Sequence, residues 1–230
     1  MSTGGLTIAV PRGALFEETL DWLERLGVST AEVRTNERKL LFEDVGLITM
    51  RPSDVPTYVA AGAADVGITG KDVLMEHSDA APGGSSRDVY ELRDLGFGRC
   101  TMVVATVAGP DRAAEALRRL GVIRVATKYP HVAAAHFERT GRQVEIVEVK
   151  GSVELAPLTG LVEAIVDLTA TGTTLRENNL VIRETIAVCT ARLIANPVSH
   201  KLKAAPIDEL LERLRGLPAA ARGRGAPDPV

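Results

Sequence analysis

Residues 161–176 combine an acidic side chain with a run of small and hydroxyl-bearing residues, a pattern that suits binding of a phosphate group. An apolar segment leads to Asp167, and residues 169–174, here called the phosphate loop, are Thr, Ala, Thr, Gly, Thr and Thr. Gly172 can adopt a positive φ angle, so the loop N–H groups can point into one concavity beside the threonine hydroxyls. The N-terminal dipole of a helix predicted to begin at Leu175 attracts an anion as well. We therefore predict a ribose 5-phosphate site in which Asp167 accepts hydrogen bonds from sugar hydroxyls.

A second acid, Glu163, lies four residues before Asp167, on the same face of the predicted strand. We interpret Glu163 as structural. An ordinary strand-to-helix turn with a threonine-rich cap is the alternative interpretation of the whole stretch, because short motifs are hypotheses until their context confirms them.

The composition is that of an ordinary globular protein of one or two domains, with 230 residues and 45% hydrophobic content. The net charge of −3 gives no general attraction to nucleic acid, and no apolar run approaches the length of a membrane span. We expect a cytoplasmic protein without nucleic-acid or membrane partners. Cys100 and Cys189 lie in apolar runs and are predicted to be buried thiols. The four histidines show no metal-ligand spacing and are interpreted as surface or cap residues: His77, His131, His136 and His200.

Strand and helix patterns alternate along the chain, which predicts an α/β fold with mainly parallel sheets. The predicted strands are Leu6 to Val10, Ala31 to Arg34, Lys39 to Phe42, Val45 to Met50, Ala64 to Thr69, Cys100 to Thr106, Ile123 to Thr127, Val144 to Val149, and a run ending at Asp167. The predicted helices are Leu15 to Leu26, one from Ser53, one from Gly70, Arg112 to Leu120, Val132 to Arg139, a segment between Val153 and Gly160, and Ile207 to Leu214.

Two α/β lobes with an interlobe cleft are the expected architecture. Residues 1–92 and 180–203 are assigned to lobe I and residues 93–179 to lobe II, because the β-type run Leu180 to Ile194 is long enough to return to the first lobe. Residues 204–216 form a C-terminal helix. A flexible stretch at 78–88 and a disordered tail at 217–230 complete the prediction. Ligand sites in such folds lie beyond the carboxyl ends of strands, where the turns at residues 11–13 and 70–72 and the phosphate loop fall.

The order of apolar strand, acid and phosphate loop resembles the loop by which phosphoribosyltransferases hold phosphoribosyl pyrophosphate (PRPP). Nearly the whole chain resembles the ATP phosphoribosyltransferases, the first enzymes of histidine biosynthesis. The matching segments are residues 11–13, 38–40, 51–56, 64–72, 126–130, 151–157 and 163–175. The resemblance implies a two-lobed fold like the type II periplasmic solute-binding proteins, and attack of adenine N1 of ATP on C1 of PRPP with release of pyrophosphate.

The family occurs in a long form and in a short form without a C-terminal histidine-binding domain, and this chain resembles the short form. That resemblance implies a homodimer within a hetero-oligomer, in which the second subunit resembles histidyl-tRNA synthetase and carries feedback inhibition by histidine. It implies Mg²⁺ carried by the substrate phosphates, with no metal held by the protein alone.

The resemblance also implies roles for individual residues. Catalysis is assigned to Arg51 and Arg38, on the leaving pyrophosphate, and to Asp167. PRPP binding is assigned to Asp167, Ala170, Thr171, Gly172, Thr173 and Thr174. ATP binding is assigned to Arg12, Gly13, Lys71, Asp72 and Glu154, with Lys128 and Tyr129 as further cleft residues. The family often has arginine where this chain has Ala14, so the resemblance implies no second phosphate contact at this position.

Three rival functions stay open at this point. A solute-binding protein would use the same architecture without catalysis, but it predicts an export signal, and Met1 to Val10 shows none. A phosphoribosyltransferase for another base would keep the phosphate loop. A catalytically silent scaffold subunit would have no need of Arg51, Asp167 and Gly172.

Overall fold

The computed structural model describes residues 3–79 and 88–215. It divides into two compact units. The first comprises the described parts of Met1–His77, Ser85–Gly98 and Thr190–Arg224, and the second consists mainly of Arg99–Cys189. Most of the predicted flexible stretch, and the whole predicted tail at 217–230, lie outside the described residues.

The first unit is built on a six-stranded sheet, with elements numbered along the chain. Its strands are β1 (Ile8–Pro11), β2 (Leu41–Phe42), β3 (Leu47–Met50), β4 (Val66–Gly70), β5 (Tyr90–Asp94) and β11 (Ala191–Ala195). The spatial order is β2-β3-β1-β4-β11-β5. All four residues of β1 are buried, because the strand lies between the parallel neighbours β3 and β4 with both faces covered.

The helices of this unit are α1 (Phe16–Arg25), α2 (Ala31–Thr35), α3 (Val55–Ala60), α4 (Lys71–Asp79), α9 (Pro197–Leu202) and α10 (Ala204–Arg215), with short 3-10 turns at Glu43–Val45 and Pro52–Asp54. Helix α1 buries Leu20 and Leu23 in the core that also receives Ile207 and Leu214 of α10. The apolar spacing that predicted α1 and α10 is therefore the core-facing side of each helix.

The second unit contains a five-stranded sheet. Its strands are β6 (Cys100–Val107), β7 (Ile123–Thr127), β8 (Val144–Glu148), β9 (Ala164–Thr169) and β10 (Leu180–Cys189), in the order β10-β6-β9-β7-β8. Its helices are α5 (Arg112–Leu120), α6 (Pro130–Arg139), α7 (Leu155–Leu158) and α8 (Thr173–Glu177). Strand β9, which carries Asp167, occupies the centre of the sheet.

Both sheets are mixed, so the expectation of mainly parallel sheets was wrong. Strand β9 runs parallel to β7 and antiparallel to β6, and β4 runs parallel to β1 and antiparallel to β11. Strands β6 and β11 enter their sheets from the other unit rather than through a crossover within one sheet, so these connections do not impose the parallel direction that a helical crossover favours. Within the first unit, β2 is also antiparallel to β3.

Three sequence expectations differ from the structure in this region. Residues 180–189 belong to the second unit, because β10 pairs antiparallel with β6, and only β11 returns to the first sheet. The first unit extends to Gly98 because β5 pairs with β11. The segment from Ala31 is helix rather than strand: Arg34 of α2 forms ion pairs with Glu17, Asp21 and Glu24, which fix it against α1.

Candidate functional site

Asp167 lies near the end of the central strand β9, with 8% of its surface exposed. Its carboxylate accepts the Leu168 N–H at 2.8 Å and lies 3.2 Å from Lys128 Nζ. Burial raises the pKa of Asp167; the Lys128 charge opposes that rise, and the negative charge of Glu154 adds to it. Buried carboxylates whose pKa is raised by burial, with one specific cation opposing the rise, are common at functional sites.

The phosphate loop connects β9 to α8 and turns sharply at Gly172. This residue has φ +70°, in the left-handed region that glycine adopts without the strain of a side chain. The Gly172 N–H donates to Thr169 Oγ1 at 2.8 Å, and Thr171 Oγ1 donates to Thr173 Oγ1 at 2.9 Å. The Gly172 N–H is thus used inside the loop instead of pointing into an open concavity. The exposed hydroxyls of Thr171, Thr173 and Thr174 are the groups available to a ligand.

Arg176 was missed by the assignment of site residues. Its guanidinium donates to the Thr171 carbonyl at 3.0 Å and to Thr173 Oγ1 at 3.1 Å. The sequence does indicate this contact, because Arg176 lies four residues after Gly172, and the side chain of a helical residue points back over the preceding turn.

Arg12 lies at the end of β1 in the first unit and is partly committed to the fold. Its Nε donates to Thr49 Oγ1 at 3.0 Å and its Nη2 to the Lys39 carbonyl at 2.9 Å. Gly13 follows with φ +83° and no atom within 4 Å of where a Cβ would stand. The backbone at this turn is therefore open to the approach of a ligand.

Lys71 begins α4 and forms an ion pair with Glu91, with a separation of 2.6 Å. Arg192 Nε lies 3.3 Å from the same carboxylate, so Glu91 is shared between two cations of the first unit, and the Arg192 guanidinium is also paired with Asp94. Asp72 is buried, and its carboxylate folds back over Gly70, where a Cβ would stand 2.0 Å from Asp72 Oδ1. A side chain at position 70 would therefore require the Asp72 carboxylate to move.

Arg38 and Arg51 are both exposed. Within residues 3–79 and 88–215, neither guanidinium makes a hydrogen bond or an ion pair. Arg51 stands directly after β3, and its backbone carbonyl accepts the Asp54 N–H at 3.0 Å. The backbone at Arg51 is fixed, whereas the side chain is free to bind an anion.

Glu163 has the structural role that the sequence suggested. It accepts the Arg124 N–H at 2.7 Å and also binds the Arg124 guanidinium, which joins the start of β9 to β7. Burial would raise the pKa of Glu163, but the hydrogen bonds from Arg124 outweigh burial and lower it. Glu163 lies directly before β9 and Asp167 lies within it, and their pKa values are shifted in opposite directions.

His136 is buried rather than on the surface, so its interpretation as a surface or cap residue was wrong. Its Nε2 lies 3.0 Å from Glu184, and its Nδ1 accepts from Arg139 at 3.2 Å. Arg142 also binds Glu184, and this hydrogen bond together with that from His136 lowers the pKa of Glu184 despite its partial burial. The cluster joins α6 to β10. Cys189 is buried as predicted, and Cys100 is half-buried.

Residues 3–79 and 88–215 contain neither a candidate metal cluster nor a candidate membrane-spanning helix. There, no group of three or more His, Cys, Asp or Glu side chains could hold a metal ion. No helix in those residues has both the length and the apolar character that a bilayer crossing requires.

Comparison with known proteins places the chain in a family. The profile of the family described as "HisG: ATP phosphoribosyltransferase" matches residues 51–216. A protein of Rubrobacter xylanophilus named ATP phosphoribosyltransferase is 50% identical over 228 residues, which cover 97% of this chain and 98% of that protein. A protein of Bacillus licheniformis with the same name is 48% identical over 91% of this chain and 93% of that protein.

Solved structures agree with the sequence relatives. The structure described as "ATP phosphoribosyl transferase (HisG:HisZ) complex from Thermotoga maritima" matches with a TM-score of 0.74 and 36% identity, covering 91% of this chain and 96% of that chain. The periplasmic aliphatic sulphonate binding protein SsuA of Escherichia coli matches with a TM-score of 0.58 and 14% identity, over 91% of this chain and 70% of that one. The second likeness shows a shared fold only, and confirms the predicted resemblance to periplasmic binding proteins. The chain belongs to the ATP phosphoribosyltransferase family.

Proposed function

We propose that this chain is the catalytic subunit of an ATP phosphoribosyltransferase. Adenine N1 of ATP forms a bond to C1 of PRPP, the bond from C1 to the pyrophosphate oxygen breaks, and pyrophosphate leaves with the electron pair. The product is N1-(5-phosphoribosyl)-ATP, the first intermediate of histidine biosynthesis. The observation that carries the proposal is the buried Asp167 at the entrance to a loop of exposed threonine hydroxyls, in a chain with family relatives along its full length.

Asp167 and the phosphate loop would hold the phosphoribosyl part of PRPP. The Asp167 carboxylate accepts hydrogen bonds from the ribose hydroxyls, while Ala170, Thr171, Gly172, Thr173 and Thr174 surround the 5-phosphate. The Lys128 ammonium, 3.2 Å from the Asp167 carboxylate, orients it and opposes the rise in its pKa that burial causes. Positioning of this kind is a large part of the rate enhancement when a sugar carbon passes through an oxocarbenium-like state.

The arginines of the first unit would bind the pyrophosphate of PRPP and the phosphates of ATP. Arg38 and Arg51 have guanidinium groups without a partner in the described part of the chain, and such groups can bind pyrophosphate oxygens in bidentate geometry. We propose Arg12, Gly13, Lys71, Asp72 and Glu154 as ATP contacts. Lys71 would exchange its ion pair with Glu91 for a phosphate oxygen.

Mg²⁺ fits the site as an ion that arrives on the substrate phosphates. Such an ion needs only one or two protein carboxylates, because phosphate oxygens and water complete its coordination. Asp167, with the charge of Glu154 close to it, meets that requirement. When bound, the ion would supply neutralisation of the charge on the departing pyrophosphate.

A partner subunit is part of the proposal. The matched Thermotoga maritima structure is described as a HisG:HisZ complex, and this chain covers 96% of the matched chain. We propose that this chain forms a homodimer within a similar hetero-oligomer, with a regulatory subunit that resembles histidyl-tRNA synthetase. Feedback inhibition by histidine would then require the second subunit.

An ultraviolet absorbance assay for phosphoribosyl-ATP tests the function directly. The full chain is incubated with ATP, PRPP and Mg²⁺, alone and with a candidate regulatory subunit, and product formation is expected in at least the second case. Parallel reactions replace ATP with guanine or orotate. Product only with one of these bases would mean a different phosphoribosyltransferase, and no product with any base would contradict the proposal.

Asp167→Asn is expected to weaken PRPP binding by about 10-fold, the cost of a charge-assisted hydrogen bond, and to stabilise the fold at neutral pH. Burial raises the pKa of Asp167 above its ordinary value. For an acid shifted upward, the stabilisation is fully present below the unfolded pKa and is lost as the pH rises through the folded pKa. Asparagine cannot ionise, so the variant should have a higher melting temperature near pH 7, and the gain should shrink towards acid pH.

Glu163→Gln is the matched control, since it neutralises the carboxylate directly before the strand that carries Asp167. The hydrogen bonds from Arg124 outweigh burial and lower the pKa of Glu163, so its stabilisation is present above its unfolded pKa and is lost as the pH falls. This variant should melt at a lower temperature near pH 7 and bind PRPP with unchanged affinity in calorimetry. Equal PRPP affinity in Asp167→Asn and the unmodified chain would remove Asp167 from the site.

A further inference from the structure

The phosphate loop is accompanied by a cation that has no acidic partner. Arg176 is exposed on α8, and its guanidinium contacts two neutral oxygens, the Thr171 carbonyl at 3.0 Å and Thr173 Oγ1 at 3.1 Å. Among the described residues, no carboxylate forms an ion pair with Arg176, whereas Lys128 is paired with Asp167. Arg176 is therefore a positive charge on the loop that the protein leaves unneutralised.

The contact from Arg176 also fixes the direction in which a loop hydroxyl can donate. Thr173 Oγ1 accepts one hydrogen bond from Thr171 Oγ1 at 2.9 Å and another from Arg176 Nη2. A hydroxyl has two acceptor lone pairs and one hydrogen, so both lone pairs of Thr173 are used and its hydrogen remains for an outside acceptor. Two incoming hydrogen bonds, one from a cation, make that hydroxyl a stronger donor.

A phosphate monoester carries a charge of about −1.5 to −2 at neutral pH. Neutral hydroxyl donors alone do not balance such a charge, and an arginine fork matches phosphate oxygens in geometry as well as in sign. An oxygen that accepts from Thr173 lies within reach of the guanidinium that already touches the same hydroxyl. The side chain of Arg176 is long and exposed, so it can exchange the Thr171 carbonyl for a phosphate oxygen.

We propose that Arg176 is a further substrate-binding residue, whose guanidinium leaves the Thr171 carbonyl to bind the 5-phosphate of the phosphoribosyl substrate while Thr173 donates to the same group. The inference rests on the proposed function of the loop. It concerns the 5-phosphate of the sugar and not the pyrophosphate on C1. Loss of Arg176 should therefore weaken the binding of ribose 5-phosphate, which has no pyrophosphate, as well as that of PRPP.

Calorimetric titration of the full chain with ribose 5-phosphate, PRPP and ATP tests this role in Arg176→Gln and Arg176→Lys. The glutamine variant should lose about 10-fold or more in affinity for ribose 5-phosphate and PRPP, as expected for a lost charge-assisted contact. The lysine variant should lose less, because it keeps the charge but not the fork. Affinity for ATP and the melting temperature should not change. Arg118→Gln is the matched control, since Arg118 is an exposed arginine of α5 in the same unit, and it should bind all three ligands normally.

The possible failures are distinguishable. Unchanged binding of ribose 5-phosphate by Arg176→Gln, with tight binding by the unmodified chain, would overturn the role of Arg176 and leave the loop assignment standing. A parallel loss of ATP affinity and melting temperature in the same variant would mean a structural role only, which also overturns it. If the unmodified chain binds neither PRPP nor ribose 5-phosphate, the function proposed for the loop fails together with the inference.

Discussion

Arg51→Ala is expected to lower kcat by about 10²-fold, with a much smaller change in the affinity for PRPP. The removal of one preorganised donor to developing charge typically has an effect of this size. The leaving pyrophosphate gains negative charge as its bond to C1 breaks, so a guanidinium on its oxygens binds the transition state more strongly than the ground state. Measurement of kcat by absorbance, and of PRPP affinity by calorimetry, separates the two effects.

The backbone that carries the Arg51 side chain is held in place by the fold. Arg51 follows β3 directly, and the next residue, Pro52, has its carbonyl bound by Thr69 Oγ1 at 2.9 Å. The backbone is thus held on both sides of an exposed side chain, which limits the cost of orienting the guanidinium. Alanine at 51 removes no contact to a described residue, so the melting temperature should stay constant.

Arg25→Ala is the control for Arg51→Ala. Arg25 is an exposed arginine of the same unit, in the last turn of α1, and its side chain also lacks hydrogen-bond or ion-pair partners among the described residues. Its replacement should leave both kcat and PRPP affinity unchanged. An unaltered kcat in Arg51→Ala would exclude the proposed transition-state contact with the pyrophosphate, and a loss of PRPP affinity with kcat unchanged would indicate ground-state binding instead.

The sequence predicted elements best where both ends carry a local signal. Helix α5 was predicted and found at Arg112 to Leu120, because Asp111 caps it through the Ala114 N–H and Gly121 ends it in the left-handed conformation. Strand directions depend on distant pairing and could not be predicted in this way. The same holds for α2, whose short sequence carries little propensity and whose conformation is stabilised by ion pairs to α1.

The residues of the candidate site show the same difference between local and distant signals. Asp167 and Gly172 were identified from the sequence, since an acid at a strand end and a glycine in a turn have local meanings. The pairing of Asp167 with Lys128 joins residues from two neighbouring strand ends, and that of Lys71 with Glu91 spans 20 residues. Only the fold brings such partners together. Arg176 is a different case, because its helical spacing from Gly172 was visible and only its direction was overlooked.

Gly172→Val is expected to weaken PRPP binding by about 100-fold, the largest loss of affinity in the set. Valine is strongly disfavoured at φ +70°, where the left-handed conformation costs about 1–2 kcal/mol for a residue with a side chain, so the loop should rebuild around position 172. The new Cβ would also stand 3.1 Å from Arg176 Nη1. That contact can be relieved, since a guanidinium is the flexible end of its side chain, but the relief moves Arg176 away from Thr171 and Thr173. Both consequences disrupt the surface that receives the phosphate.

Gly121→Val is the control that distinguishes disruption of the phosphate loop from a general destabilisation of the fold. Gly121 has φ +74°, nearly the angle of Gly172, and lies at the end of α5 with no atom within 4 Å of its Cβ position. Valine there should carry the same backbone strain, and chemical denaturation should show a destabilisation of about 1–2 kcal/mol for both variants. Calorimetry should find PRPP affinity retained in Gly121→Val and lost in Gly172→Val. Both variants carry the same backbone strain, but only Gly172→Val alters the phosphate loop. Similar PRPP affinity in the two variants would therefore mean that the loop does not hold the phosphate.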